Sequence, residues 1–240
     1  MPPLAFTPSF FIAFFLLALL AYANAPLYSQ ALGSSEEFFL SERGRLLLGL
    51  FVPTATFLSV TLHEIGHALV AQRLGVGVER IALWFLGGVA VLKGVPKDPK
   101  KESLIVSAGP AVSFALAGLF HSLHLYPFWR GEEVVLSFLK YLSVVNLFIG
   151  VFNLVPAFPL DGGRLLRDLL ALRIPWDRAT LAALRIASFF AFLFVFLGTL
   201  ASNPFLVAGG VLIYLHNRSL AKKLRETGEG EGEVLVSKSQ

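Results

Sequence analysis

Polar and apolar positions along this chain fall into long blocks rather than a short repeating period. Six stretches, at about 8–23, 46–70, 104–123, 134–156, 186–201 and 204–215, are apolar almost throughout. A helix rises about 1.5 Å per residue, so about 20 such residues cross the hydrocarbon of a bilayer. The blocks therefore predict about six transmembrane helices, the last two short and joined through Ser202-Asn203-Pro204 as a helical hairpin. Between the second and third blocks the pattern changes. Residues 80–92 read as two apolar runs rich in β-formers flanking Gly87-Gly88, a hairpin signal. Non-helical backbone survives at membrane depth only when buried in protein or lining a wet cavity. The hairpin either lies at the membrane surface or offers an edge strand to an extended peptide. The expected fold class is an all-α polytopic membrane protein, with about six transmembrane helices and a small membrane-associated β-hairpin after the second. Residues 1–217 are expected to form the transmembrane core and 218–240 a flexible polar tail, in which 227–233 is low in complexity.

The first block ends in Ala23-Asn24-Ala25, which resembles a signal-peptidase site. No Lys or Arg precedes it, as a secretory signal would require, so it is expected to remain a helix of the protein.

Composition sharpens the membrane reading. Of 240 residues 55% are hydrophobic and 15% charged, where a soluble domain carries about 25% charged. Cysteine is absent, which excludes disulfides, a cysteine nucleophile and thiolate metal sites. Any zinc site must then use His, Asp or Glu. The net charge of +4 matters less than where the 20 basic residues lie. If the N-terminus, the stretches after blocks two and four and the tail share one side, that side holds all of them except Arg43, Arg45, Arg130 and Lys140. Both termini are therefore expected in the cytoplasm.

Candidate chemistry sits inside this apolar frame. His63-Glu64-Ile65-Gly66-His67 falls near the cytoplasmic end of the second block. Residues i and i+4 of a helix lie about 40° apart around the axis and about 6 Å along it, so both imidazoles reach one ion. Glu64 can then address a water on that metal. Each ionisable group in such a segment costs about 2.5 kcal/mol or more if unpaired, which argues against a chance cluster. Two histidines leave a third protein ligand to find. Asp161, in Asn153-Leu-Val-Pro-Ala-Phe-Pro-Leu-Asp161-Gly-Gly-Arg164, is the acidic residue close to the end of the fourth block. Blocks two and four both run toward the cytoplasm, so His67 and Asp161 are expected at similar depth on the same side. Two imidazoles, a carboxylate and a water favour zinc, one ion per chain.

These motifs together resemble the site-2 protease family of intramembrane zinc metalloproteases, peptidase family M50. The resemblance covers His63 to His67, the Gly87-Gly88 hairpin, Ser107-Ala-Gly-Pro110 and residues 153–164. It implies zinc held by His63, His67 and Asp161, with Glu64 as general base and acid. It implies substrates that are single membrane-spanning segments, cut within or near the bilayer. The six-block arrangement resembles a subgroup that often carries paired nucleotide-sensing domains of the cystathionine-synthase type after the core. The tail here is too short for one, so either the protein lacks it or the chain is truncated, and nucleotide regulation is in doubt.

Further expectations attach to single residues. Asn153 either donates to a developing oxyanion or makes a helix-ending hydrogen bond before Pro156; Asn146 is read as a helix-packing residue. Gly87 and Gly88 are expected to help hold an unwound substrate. His121, His124 and His216 read as interfacial side chains, Trp84, Trp129 and Trp176 as interfacial anchors. Arg164, Arg167 and Arg173 are expected to face water or headgroups. The expected partners are transmembrane protein substrates and the bilayer, with no nucleic acid. Rival classes are a silent scaffold binding transmembrane segments, a metal transporter, or a zinc hydrolase of lipids or small molecules. Intact Glu64 weighs against the first, and the lack of duplicated motifs against the second.

Overall fold

The computed structural model of the chain describes residues 2–32, 36–85, 87–94, 98–129 and 131–227. In order they form β1 (Leu4–Phe6), α1 (Pro8–Ala23), α2 (Ala25–Leu32), α3 (Glu36–Leu40) and α4 (Glu42–Arg73). The hairpin strands β2 (Val78–Trp84) and β3 (Gly87–Leu92) follow, then α5 (Pro99–Leu125) and α6 (Glu133–Asn153). The chain closes with α7 (Asp161–Ala171), α8 (Trp176–Leu200) and α9 (Pro204–Thr227). The low-complexity stretch expected after Thr227, and Arg130, lie outside the described residues.

Helices α4, α5, α6 and α8 are long and apolar enough to cross a membrane. Helices α1 and α2, bent by 76° at their junction, make a fifth span if counted as one. Six spans were expected from the blocks. The difference lies in length, because 16 residues of α1 rise only about 24 Å against a hydrocarbon core of about 30 Å. The apolar start of α9 is shorter still. The last two helices are themselves longer than their apolar blocks, at 25 and 24 residues. In α8 the early turns bury Ala179, Thr180, Ala183, Leu184 and Ala187, a one-sided pattern that an apolar-block reading passes over.

Residue contacts divide the chain into two compact units, one of 1–66, 79–91 and 111–150, the other of 67–78, 92–110 and 151–240. In the first, polar side chains join the helices. Thr56 on α4 bonds the Tyr141 hydroxyl on α6 at 2.7 Å, and Asn146 donates to Ser59 at 2.9 Å. Ser143 on α6 donates to the Ala117 carbonyl on α5 at 3.0 Å. Hydrogen bonds of this kind hold helices together where lipid removes the hydrophobic drive for association. Asn146 is thus the packing residue expected.

The same unit holds the sheet, in the order β1-β2-β3. The hairpin is present, but Gly87-Gly88 does not form its turn. Both glycines lie within β3, which they open. The N-terminal strand β1, unforeseen, pairs parallel with β2 in the register Leu4↔Ile81, Ala5↔Ala82, Phe6↔Leu83.

In the second unit α8 and α9 form the expected hairpin. Asn203 accepts from the backbone N–H of Phe205 and Leu206, both at 3.1 Å, capping α9 just before Pro204 opens it. The first turn of α7 lies against the chain before it. A Cβ on Gly162 would sit 2.2 Å from the Leu154 carbonyl oxygen, and one on Gly163 2.7 Å from Ala157 backbone. The Asp-Gly-Gly run is therefore a packing requirement: it seats the helix that begins with Asp161.

Candidate metal centre

His63 and His67 project from successive turns of α4, and both are buried. Each ring is held through Nδ1. His63 Nδ1 lies 2.9 Å from Ser113 Oγ on α5, and His67 Nδ1 lies 2.8 Å from the Ile105 carbonyl oxygen. A carbonyl can only accept, so His67 carries a proton on Nδ1 and, as neutral imidazole, presents a lone pair at Nε2. That Nε2 sits 3.2 Å from Asp161 Oδ2. Two acceptors facing each other at that distance need a proton or a cation between them. Asp161 is 7% exposed, at the first residue of α7.

His63, His67 and Asp161 each offer a ligand atom, all within 4.8 Å of one another. The donor set fits zinc: two neutral imidazoles oriented by outer-shell partners and one carboxylate, which leaves a fourth position for water. Glu64, next to His63 on α4, is half-buried and bonds the hairpin. The Ala90 backbone N–H donates to Glu64 Oε2 at 2.8 Å. Gly88 is required beside it, since a Cβ there would lie 2.6 Å from Glu64 Cγ. Gly87, at φ +138°, adopts a backbone conformation that side chains disfavour. Asn153 is the last residue of α6 and is half-buried.

Four participants escaped the sequence reading. The Ile105 carbonyl and the Ala90 N–H belong to the backbone and carry no residue signature. Ser113 had a usable signal, a hydroxyl in an apolar segment three residues after Pro110. The fourth is Glu102, near the start of α5. It accepts from Arg164 Nη2 at 3.2 Å and from Arg167 Nη2, and Arg167 Nε donates to Asp168 at 3.2 Å. Arg167 is 1% exposed, with its guanidinium 4.5 Å from the Trp176 ring. The expectation that Arg167 faces water or headgroups is therefore overturned. Its charge is matched by two buried carboxylates, and those partners come from distant sequence. Burial pushes the Asp168 carboxyl up to about 7, with Glu102 adding to the rise and Arg167 opposing it. His124 bonds the Leu136 carbonyl at 3.0 Å, in keeping with a role outside the metal group.

The profile of peptidase family M50 matches residues 52–129 and 130–195, which include all four motif side chains. The chain belongs to peptidase family M50. Rip3 of Mycobacterium tuberculosis is 45% identical over 125 residues, covering 52% of this chain and 32% of Rip3. Zinc metalloprotease MJ0392 of Methanocaldococcus jannaschii is 38% identical over 158 residues, 66% of this chain and 45% of that protein. The chain thus spans less than half the length of these relatives. The solved structure of the site-2 protease from Methanocaldococcus jannaschii superposes with a TM-score of 0.57 at 30% identity, over 85% of this chain and 87% of that one. This M50 chain is an integral membrane protein with the site-2 protease fold, and its cofactor is zinc.

Removing the partner that orients His63 has a predictable result in the M50 site. Ser113→Ala is expected to lower zinc affinity about 10- to 100-fold, the usual cost of losing an outer-shell bond. A competitive chelator titration of the two proteins measures it, and equal affinities would remove Ser113 from the site.

Proposed function

We propose that this chain is an intramembrane zinc metalloendopeptidase of the site-2 type, hydrolysing peptide bonds within or near transmembrane segments of membrane proteins. The observation that carries the reading is a buried ligand group of two imidazoles and a carboxylate beside a half-buried glutamate, set among membrane-length helices. His63, His67 and Asp161 hold the ion. Bound zinc supplies a Lewis acid that acidifies water and polarises the scissile carbonyl. Glu64 accepts the proton of the attacking water at its carboxylate and passes it to the departing amine. Asn153 donates to the developing oxyanion. Gly87 and Gly88 open the strand against which the substrate lies extended, because a helical substrate offers no free backbone for attack. The catalytic core spans residues 1–217, both termini lie in the cytoplasm and the site opens on that side. The bias of Lys and Arg supports this orientation.

The test uses the purified chain in detergent with a panel of tagged single-span substrates, comparing wild type with Glu64→Gln. Expected are one zinc per chain in both and cleavage by wild type alone. Loss of the base lowers the rate by about 10²- to 10⁴-fold. Cleavage by the variant at the wild-type rate would refute the role of Glu64, and a wild type without zinc would refute the whole reading.

A further inference from the structure

The general base and the hairpin are joined by one hydrogen bond, and that bond uses the edge where a substrate strand would pair. The sheet has two outer edges. One is covered by the chain itself: β1 lies along β2, with the Ile81 N–H donating to the Pro3 carbonyl at 2.9 Å and the Thr7 N–H to the Leu83 carbonyl at 3.0 Å. The other edge belongs to β3, which has no further strand beside it among the described residues. Along a strand the backbone groups of alternate residues point to opposite sides. The Ala90 N–H points away from β2, because its acceptor is Glu64 on α4. The Glu64 stem reaches this edge by crossing Gly88, where even a methyl group would clash at 2.6 Å from its Cγ. Glycine at 88 thus lets the base lie across the strand and end on the outward donor of residue 90.

We propose that the Ala90 backbone N–H is a substrate-binding donor which Glu64 occupies until an incoming peptide strand replaces it, so that strand pairing itself releases the base. This rests on the protease reading above and adds a coupling to it. The exchange swaps one acceptor for another: Glu64 Oε2 leaves the Ala90 N–H and a substrate carbonyl oxygen takes it. A hydrogen bond to a carboxylate is stronger than one to a neutral carbonyl. A single substrate carbonyl therefore does not displace Glu64. A peptide that forms several edge bonds in register does. Unwound, correctly registered segments free the base, while a passing helix or a lone amide leaves it held.

The experiment measures binding rather than turnover. A single-span substrate that wild type cleaves is titrated, intact, into Glu64→Gln and Glu64→Ala, with zinc content determined in both. The carboxamide of Gln keeps an acceptor for the Ala90 N–H, and Ala removes it. Expected is about fivefold tighter binding by Glu64→Ala, the weight of roughly one neutral hydrogen bond. The same pair is then compared in an Ala90→Pro background, which deletes the donor at an edge position where proline is tolerated. There the difference is expected to vanish and both affinities to fall. Equal affinities of the Gln and Ala variants with Ala90 intact overturn the proposal, as does a difference that persists in the proline background. If Ala90→Pro does not fold, the first comparison decides alone. If wild type cleaves no single-span segment, the protease reading fails and this inference with it. If wild type cleaves but Gln and Ala bind alike, only the inference fails.

Discussion

Asp161→Asn is expected to strip the chain of stoichiometric zinc and to abolish cleavage. The substitution keeps the shape of the side chain and removes its charge. Asp161 is the only carboxylate in the ligand group, facing His67 Nε2 at 3.2 Å in a site it shares with two neutral imidazoles. Without it, a dication would sit in buried surroundings with no formal negative charge among its ligands, and the Asn amide would compete as a donor. Loss of an outer-shell partner costs about 10- to 100-fold in metal affinity, so loss of this direct ligand should cost more than about 100-fold. The measurement is zinc per chain after gel filtration, with helicity and melting temperature as controls. Gly162 and Gly163 seat α7 independently of the carboxylate, so the variant is expected to fold. An Asn variant with full zinc and wild-type cleavage would place the third ligand elsewhere.

The second large effect concerns stability. Arg167→Ala is expected to destabilise the protein by about 3–5 kcal/mol, the usual cost of removing one partner of a buried ion pair. Arg167 and Glu102 are each 1% exposed. Deleting the guanidinium leaves Glu102 and Asp168 ionisable, buried and short of donors, since Glu102 Oε2 and Asp168 Oδ2 already lack hydrogen-bond partners. The stacking against Trp176 is lost as well. The double variant Glu102→Met with Arg167→Met should recover part of the loss, because an apolar pair replaces one ion pair and leaves only Asp168 without its guanidinium. Thermal unfolding in detergent distinguishes the two, and a double variant no better than the single one would contradict the account. Zinc occupancy should fall along with stability in Arg167→Ala, since the same bonds tie α7, and so Asp161, to the start of α5.

The pH dependence of this cluster has a definite sign. The Asp168 carboxyl is raised from 3.8 to about 7 in the folded protein. Between those values the folded state keeps a proton that the unfolded chain has released. Its contribution to stability therefore falls as pH rises from about 4 to about 7 and levels off above. Asp168→Asn is expected to flatten that fall.

Much of the site was legible before any fold was known, for local reasons. The spacing of His63, Glu64 and His67 is a property of one helix, and α4 forms because its surroundings are apolar over a membrane length. Asp161 could be named because its block ends at the same depth as the block carrying the histidines. The hairpin was legible from its β-forming runs, though its glycines lie in β3 and not between the strands. They serve the close approach of Glu64 and the opening of β3, and a turn was only the commonest reason for such a pair. Arg167 was misplaced for a related reason. An arginine in a short polar helix usually faces water, and nothing near it in sequence announces Glu102, which lies 65 positions earlier.

The sequence by itself determined the apolar blocks, the helix that carries His63 and His67, the candidate donors that gather with Asp161, and the family. These depend on residue type and on spacings within one element, where helix geometry converts sequence distance directly into space. Tertiary structure alone decided which backbone groups serve the site. The Ile105 carbonyl sets the His67 tautomer, and the Ala90 N–H holds Glu64. Every residue carries a carbonyl, and every residue but proline an N–H, so no composition or pattern marks the ones that matter. Only the packing of distant segments brings a given backbone atom within hydrogen-bonding distance of a side chain.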